Sequence, residues 1–245
     1  MENLEGDYVI QWVDLEMEKE VCKLLGKDEG EEILASEVVP ITELEIRRRG
    51  ITRLEDLVHF KALTRLVLKN NQIKEISGLE KLTQLTELNL GCNEIKEIRG
   101  LENLCQLRKL NLSYNEIKEI NGLENLCQLR ELNLVRNEIK EIGGLEKLTQ
   151  LRELFLRGNE IKEIRGLEKL VQLTMLSLGS NEIKEVSGLE GLSQLRDLDL
   201  VWNEIKEVTV LKNLMRLELL ALDGNDISDF SPVSHVNKAF NQYDF

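Results

Sequence analysis

Between residues 41 and 238 the apolar positions fall on one 22-residue grid. In the unit from Leu107 to Gln128 the grid is Leu107, Leu110, Leu112, Ile117, Ile120, Leu123 and Leu126. Aliphatic residues, with Phe60 and Phe230 as exceptions, fill the same places in units opening at Ile41, Leu63, Leu85, Leu107, Leu129, Leu151, Leu173, Leu195 and Leu217. Apolar positions 4 and 6 alternate with polar neighbours, the period of a short strand with one face inward. A constant period of this length means one unit stacked on itself, each covering its neighbour's apolar face. Nine parallel strands at ~4.8 Å spacing predict a sheet roughly 40 Å along its inner edge. Each buried leucine or isoleucine contributes on the order of 1.5–3 kcal/mol.

Two polar positions are nearly as regular. Asparagine stands ninth in every unit but the first, at Asn71, Asn93, Asn115, Asn137, Asn159, Asn181, Asn203 and Asn225; Arg49 takes the place in unit one. A carboxamide both donates and accepts, so a stack of them predicts a ladder satisfying backbone groups where the chain turns. Glycine stands sixteenth in most units, as in Gly100 and Gly122, and predicts a tight turn. Too few residues remain on the outer side for α-helix, so that side is predicted to be extended or 3₁₀-like. NEIKE begins at Asn93 and recurs at Asn115, Asn137, Asn159, Asn181 and Asn203. Its glutamates and lysine predict a solvated flank whose ion pairs are worth under ~1 kcal/mol each.

The ends break the pattern. Residues 1–40 carry Met17, Val21, Cys22, Leu24 and Leu25 at helical spacing after Asp14, with Gly26 suited to the stop. They are read as a helical N-terminal cap, residues 41–238 as nine repeats, and 239–245 as a short tail folded back over the open end. In the last unit Ile227, Phe230, Val233 and Val236 take the core positions, and Pro232 replaces the glycine.

The unit reads LxxLxLxxNxIxxIxGLxxLxx and resembles the leucine-rich repeat. It is most similar to the 22-residue subfamily that includes a regulatory subunit of type-1 protein phosphatase and the bacterial internalin-like proteins. The resemblance implies an α/β repeat solenoid, a right-handed superhelix with a parallel concave sheet of about nine strands, and a helical segment like an internalin N-terminal cap. It implies a protein-binding module acting as adaptor or regulator. A host-interaction or surface-recognition protein of the internalin-like kind, or a regulatory subunit of a serine/threonine phosphatase, are the alternatives.

Composition narrows the partner. A net charge of −13 and a pI near 4.9 disfavour nucleic acid and anionic membranes, which need a basic footprint. No run approaches the ~18 apolar residues of a membrane helix, and the acidic N-terminus leads into no apolar signal segment. A cytoplasmic monomer is the simplest reading, with a secreted or surface location open if a leader precedes the chain. Cys105 and Cys127 share one place in successive units; a disulfide is open, and a pair of small buried thiols is favoured. His59 and His235 are the only histidines. No GxSxG, HExxH or phosphate-loop motif occurs, so no catalytic site, metal or cofactor is expected.

The candidate binding residues are those that vary while the grid stays fixed. Positions 2, 3, 5, 7 and 8 are expected on the concave face. Three there are aromatic, Tyr114, Phe155 and Trp202, with Val135, Met175 and Val201 adding apolar area. Exposed aromatics are the usual anchors of protein interfaces. Charge is graded along the face: Arg65, Lys69, Lys109, Arg130, Arg136, Arg152 and Arg157 come first, and Asp197, Asp199 and Asp223 last.

Overall fold

The computed structural model describes residues 7–238. Units one to nine supply strands β1 Glu43–Glu45, β2 Arg65–Val67, β3 Glu87–Asn89, β4 Lys109–Asn111, β5 Glu131–Asn133, β6 Glu153–Phe155, β7 Met175–Ser177, β8 Asp197–Asp199 and β9 Leu219–Ala221. The two-residue β10, Asn237–Lys238, extends the sheet to ten strands. All pair in parallel with their sequence neighbours, and Leu44, Leu66, Leu88 and Leu110 stand side by side. The 22-residue period thus becomes register: equivalent residues of successive units line up in rows across the sheet. Behind the sheet one apolar cluster runs from Ile10 to Val236.

The asparagines occupy the turn that leaves each strand. Asn115 donates from Nδ2 to the carbonyls of Leu112 at 3.0 Å and Leu90 at 3.1 Å, and its Oδ1 accepts from Ile95 N–H at 3.0 Å. Asn71 and Asn225 make equivalent bonds at the two ends of the series. Each carboxamide satisfies buried backbone groups of its own unit and the one before it, which fixes the stacking distance.

The outer side is a chain of i→i+3 turns, such as Leu104 N–H to Leu101 at 3.0 Å and Leu107 N–H to Leu104 at 2.9 Å. Gly122 opens such a turn at φ 71°, and a Cβ there would lie 2.3 Å from the Ile98 carbonyl oxygen. Only glycine lets the two backbones approach so closely. Its N–H is held by Glu124 Oε1 at 3.3 Å, so the GLE glutamate has a frame role besides solvation. Where position 16 is not glycine the turn tightens into 3₁₀ helix. Asp56 lies in Glu55–His59, Val210 in Thr209–Asn213 and Pro232 in Ser231–Val233.

At the N-terminus α1 spans Leu15–Leu25, with Asp14 accepting from the N–H groups of Glu16 and Met17 and Gly26 ending it in the left-handed conformation. Asp14 also accepts from Thr52 N–H at 2.8 Å. Asp56 returns the contact, accepting from Val13 N–H at 2.9 Å and Asp14 N–H at 2.8 Å. Two buried carboxylates therefore fasten this helix to unit one. A short helix α2, Ala35–Val38, follows.

Several expectations need correction. Leu24 is exposed, because the buried face of α1 is Met17, Val21 and Cys22. Phe230 is 37% exposed, although it holds the core position of the ninth unit. Cys105 and Cys127 are free and exposed. Their position lies between two inward leucines and faces out, as Val171 and Met215 do in later units. Residues 239–245, expected to close the open end, lie outside the described residues.

Candidate functional site

The variable residues stand in rows. Position 3 runs Glu43, Arg65, Glu87, Lys109 and Glu131 along the pairing register. Arg65 pairs with Glu87 at 3.0 Å and lies 3.7 Å from Glu43, and Lys109 pairs with Glu131 at 2.9 Å. The expected basic stretch is therefore neutralised in this row by acids on adjacent strands. In the position 5 row Asn89, Asn111 and Asn133 each accept from the N–H two residues on, at 2.9–3.0 Å. These side chains shape the strand ends.

Position 8 has positive φ in every unit, from Arg48 at 58° to Gly224 at 74°. A non-glycine residue in that region costs on the order of 1 kcal/mol. The conformation persists because the N–H donates to the next unit, as from Tyr114 to Val135 and from Trp202 to Asp223, both at 2.7 Å. Backbone held this way presents its side chains on a fixed post. Tyr114 is 44% and Trp202 61% exposed. Arg136, exposed in the same row, places its Cζ 5.5 Å from the centre of the Tyr114 ring, within cation–π range. Gly158 beside it leaves room for the Arg136 stem, since a Cβ there would meet Arg136 Cγ at 3.1 Å. Trp202 lies over Gly224, where a Cβ would come within 2.7 Å of the indole.

Phe155 stands on β6 and Met175 on β7, both half-buried, with half-buried Val135, Arg157 and Asp223 in the turns that follow the strands. Asp199 and Val201 are buried, so they underlie the face and do not present on it. Asp199 accepts from Val201 N–H at 3.1 Å and Ser177 Oγ at 2.9 Å, and Arg157 Nη1 lies 3.7 Å from its Oδ2. Gly179 makes the space, because a Cβ there would sit 2.8 Å from Asp199 Oδ2. Burial raises the Asp199 carboxyl against those bonds. Asp197, one row over, is half-buried with an Oδ1 that has no hydrogen-bond partner. Burial first, and then the Asp199 charge, push its pKa up to about 6.

The flank is a different surface. Lys74, Lys96, Lys118, Lys140, Lys162 and Lys184 each reach the glutamate of the next unit, at 3.4–3.6 Å. A surface depression of about 1010 Å³ on this flank is lined by residues including Lys184, Glu204, Lys206 and Asn225, most of them members of the repeat grid. Sequence reasoning missed the Asp14 and Asp56 fasteners and placed Arg108 in no site. The position 2 register, Arg108 followed by Arg130 and Arg152, was the available signal for the latter. Among the described residues no cluster of three or more His, Cys, Asp or Glu could hold a metal, and no helix is long and apolar enough to cross a membrane.

Comparison with known proteins places this architecture. The family model described as leucine rich repeats in two copies matches residues 61–103, 105–147, 127–169 and 149–191, more than half of the chain. The chain belongs to the leucine-rich-repeat family. Among solved structures it is similar to internalin C2 of Listeria monocytogenes, at 26% identity and TM-score 0.72 over 98% of this chain and 100% of that one. A leucine-rich-repeat protein of Leptospira interrogans is 29% identical, with TM-score 0.69, over 77% of this chain and 52% of its own. The functional domain of InlJ from Listeria monocytogenes, 21% identical over 95% of this chain and 56% of its own, shares the fold with TM-score 0.79. The chain thus spans about half of each of the last two. No curated protein sequence matches it significantly. The fold is an internalin-like leucine-rich-repeat solenoid, the type of scaffold that serves protein interaction.

Proposed function

We propose that this chain is a non-enzymatic module that binds a protein partner on its concave face, as an adaptor or regulator. The observation that carries the reading is the pair of exposed aromatics, Tyr114 and Trp202, on backbone posts that every unit rebuilds. Rigid, partly desolvated aromatics lose little freedom on binding and make the usual interface anchors. Phe155, Met175 and Val135 supply apolar area between them, with Arg136, Arg157, Asp197 and Asp223 as polar surroundings. The test is capture of partners from native lysate by the wild-type chain and by Tyr114→Ala/Phe155→Ala/Trp202→Ala. Loss of the captured protein by a variant with unchanged circular dichroism supports the assignment; unchanged capture removes it.

A second reading, a surface-recognition protein of the internalin-like kind, is favoured by the end-to-end match to internalin C2. The captured partner separates the two. A cytoplasmic protein, such as a serine/threonine phosphatase catalytic subunit, supports the regulator; an exposed cell-surface protein supports recognition.

A further inference from the structure

We infer that the row Arg108, Arg130 and Arg152 receives an acidic α-helix of the protein partner. The inference rests on the protein-binding reading and adds the chemistry and shape of what is bound. These residues hold position 2 of three consecutive units, and their backbones are bonded directly, Arg130 N–H to Arg108 and Arg152 N–H to Arg130, both at 2.9 Å. All three are exposed, and among the described residues none has an ion pair or side-chain hydrogen bond. Elsewhere in the same row Arg196 is neutralised by Glu218 at 2.9 Å. Three adjacent unneutralised guanidinium groups are thus an exception in a chain of net charge −13. Guanidinium forks match carboxylates bidentately.

Spacing selects the partner's conformation. Strands ~4.8 Å apart place the outer two arginines roughly 9.6 Å from each other. Glutamates at i, i+4 and i+7 of a helix lie on one face and span about 10.5 Å along its axis. Alternate residues of an extended peptide advance ~6.6 Å each, so three of them span about 13 Å and fall out of step. The row fits an acidic helical stripe laid across strands β4 to β6.

The probe is an alanine-rich helical peptide with three glutamates at i, i+4 and i+7. Its isomer carries them at i, i+2 and i+4, with the same composition and charge. Binding to the full chain is followed by NMR titration of the arginine side-chain N–H signals, which suits weak complexes. The first peptide is expected to bind on the order of ten-fold more tightly than the isomer. Arg108→Gln/Arg130→Gln/Arg152→Gln should abolish that preference. Lys118→Gln/Lys140→Gln/Lys162→Gln, which removes equal charge from the flank of nearby units, should leave it within about two-fold. Tyr114→Ala/Phe155→Ala/Trp202→Ala should also leave it unchanged, because the probe offers nothing to the aromatic anchors. Failure of the peptide preference with loss of lysate capture in the aromatic variant therefore overturns the helix site alone. Equal binding of the two peptides, no binding, or equal losses in the two charge variants would overturn the inference. Tighter binding of an oligouridylate than of either peptide would assign the row to nucleic acid instead.

Discussion

Two rows of charge run along this solenoid. On the flank, the lysine at position 12 of units two to seven reaches the glutamate of the next unit, and the row satisfies itself from Lys74 to Glu204. At the opposite edge of the strands Arg108, Arg130 and Arg152 face their own kind. A strictly repeated pattern can provide for its own charges, because every residue meets the same neighbour. Side chains that break the repeat have no such guaranteed partner. Architecture lies in the first kind of row, and recognition is proposed for the second.

The contrast is tested first by damaging the frame. Gly122→Ala combines a strained φ with a Cβ 2.3 Å from the Ile98 oxygen, so it should destabilise by about 2–4 kcal/mol in urea unfolding. An effect below ~1 kcal/mol would show that the turn can relax. Asn137→Ala leaves the carbonyls of Leu112 and Leu134 and the N–H of Ile117 without their partner. A loss of roughly 1–3 kcal/mol is expected, and an unaltered unfolding curve would argue against the ladder.

Asp197 sharpens the other side. Its folded pKa, about 6, lies above the ordinary 3.8, so the folded state binds the proton more tightly than the unfolded chain. The contribution of this group to stability is therefore most favourable at low pH, falls between pH 4 and 6, and is level above that. Asp197→Asn should stabilise the chain near pH 7 by about 1 kcal/mol, allowing for solvent screening of a half-exposed group. The gain should vanish near pH 4; a gain independent of pH would contradict the assignment. Lys140→Gln, which breaks one flank pair at 3.6 Å, should change stability by no more than ~0.5 kcal/mol, with little dependence on salt.

Much of the fold is legible in the sequence because the 22-residue step converts directly into strand register. From Leu107 and its equivalents follow the buried positions, the parallel sheet and the asparagine turn. The 3₁₀ segments were readable from the loss of glycine at Asp56, Val210 and Pro232. The outward facing of Cys105 and Cys127 was readable too, since Thr83 and Thr149 hold the same place in neighbouring units. The candidate face is harder, because side-chain accessibility there depends on lateral neighbours. Asp199 looks presented on its strand and is buried because Gly179 leaves it space. Lys109 looks like a free cation and is neutralised by Glu131. The link from Asp56 to Val13 crosses 43 residues between segments of different pattern, and no periodicity reports it.

The most direct measurement is side-by-side titration of a captured partner by calorimetry against two variants of similar units. Tyr114→Ala/Phe155→Ala/Trp202→Ala alters residues outside the repeat, and Lys118→Gln/Lys140→Gln/Lys162→Gln alters the repeat itself. The expected result is loss of binding by the first and binding within about two-fold of wild type by the second, with both melting temperatures within about 3 °C of the parent. Binding kept by the aromatic variant and lost by the lysine variant would place recognition on the flank and contradict the division.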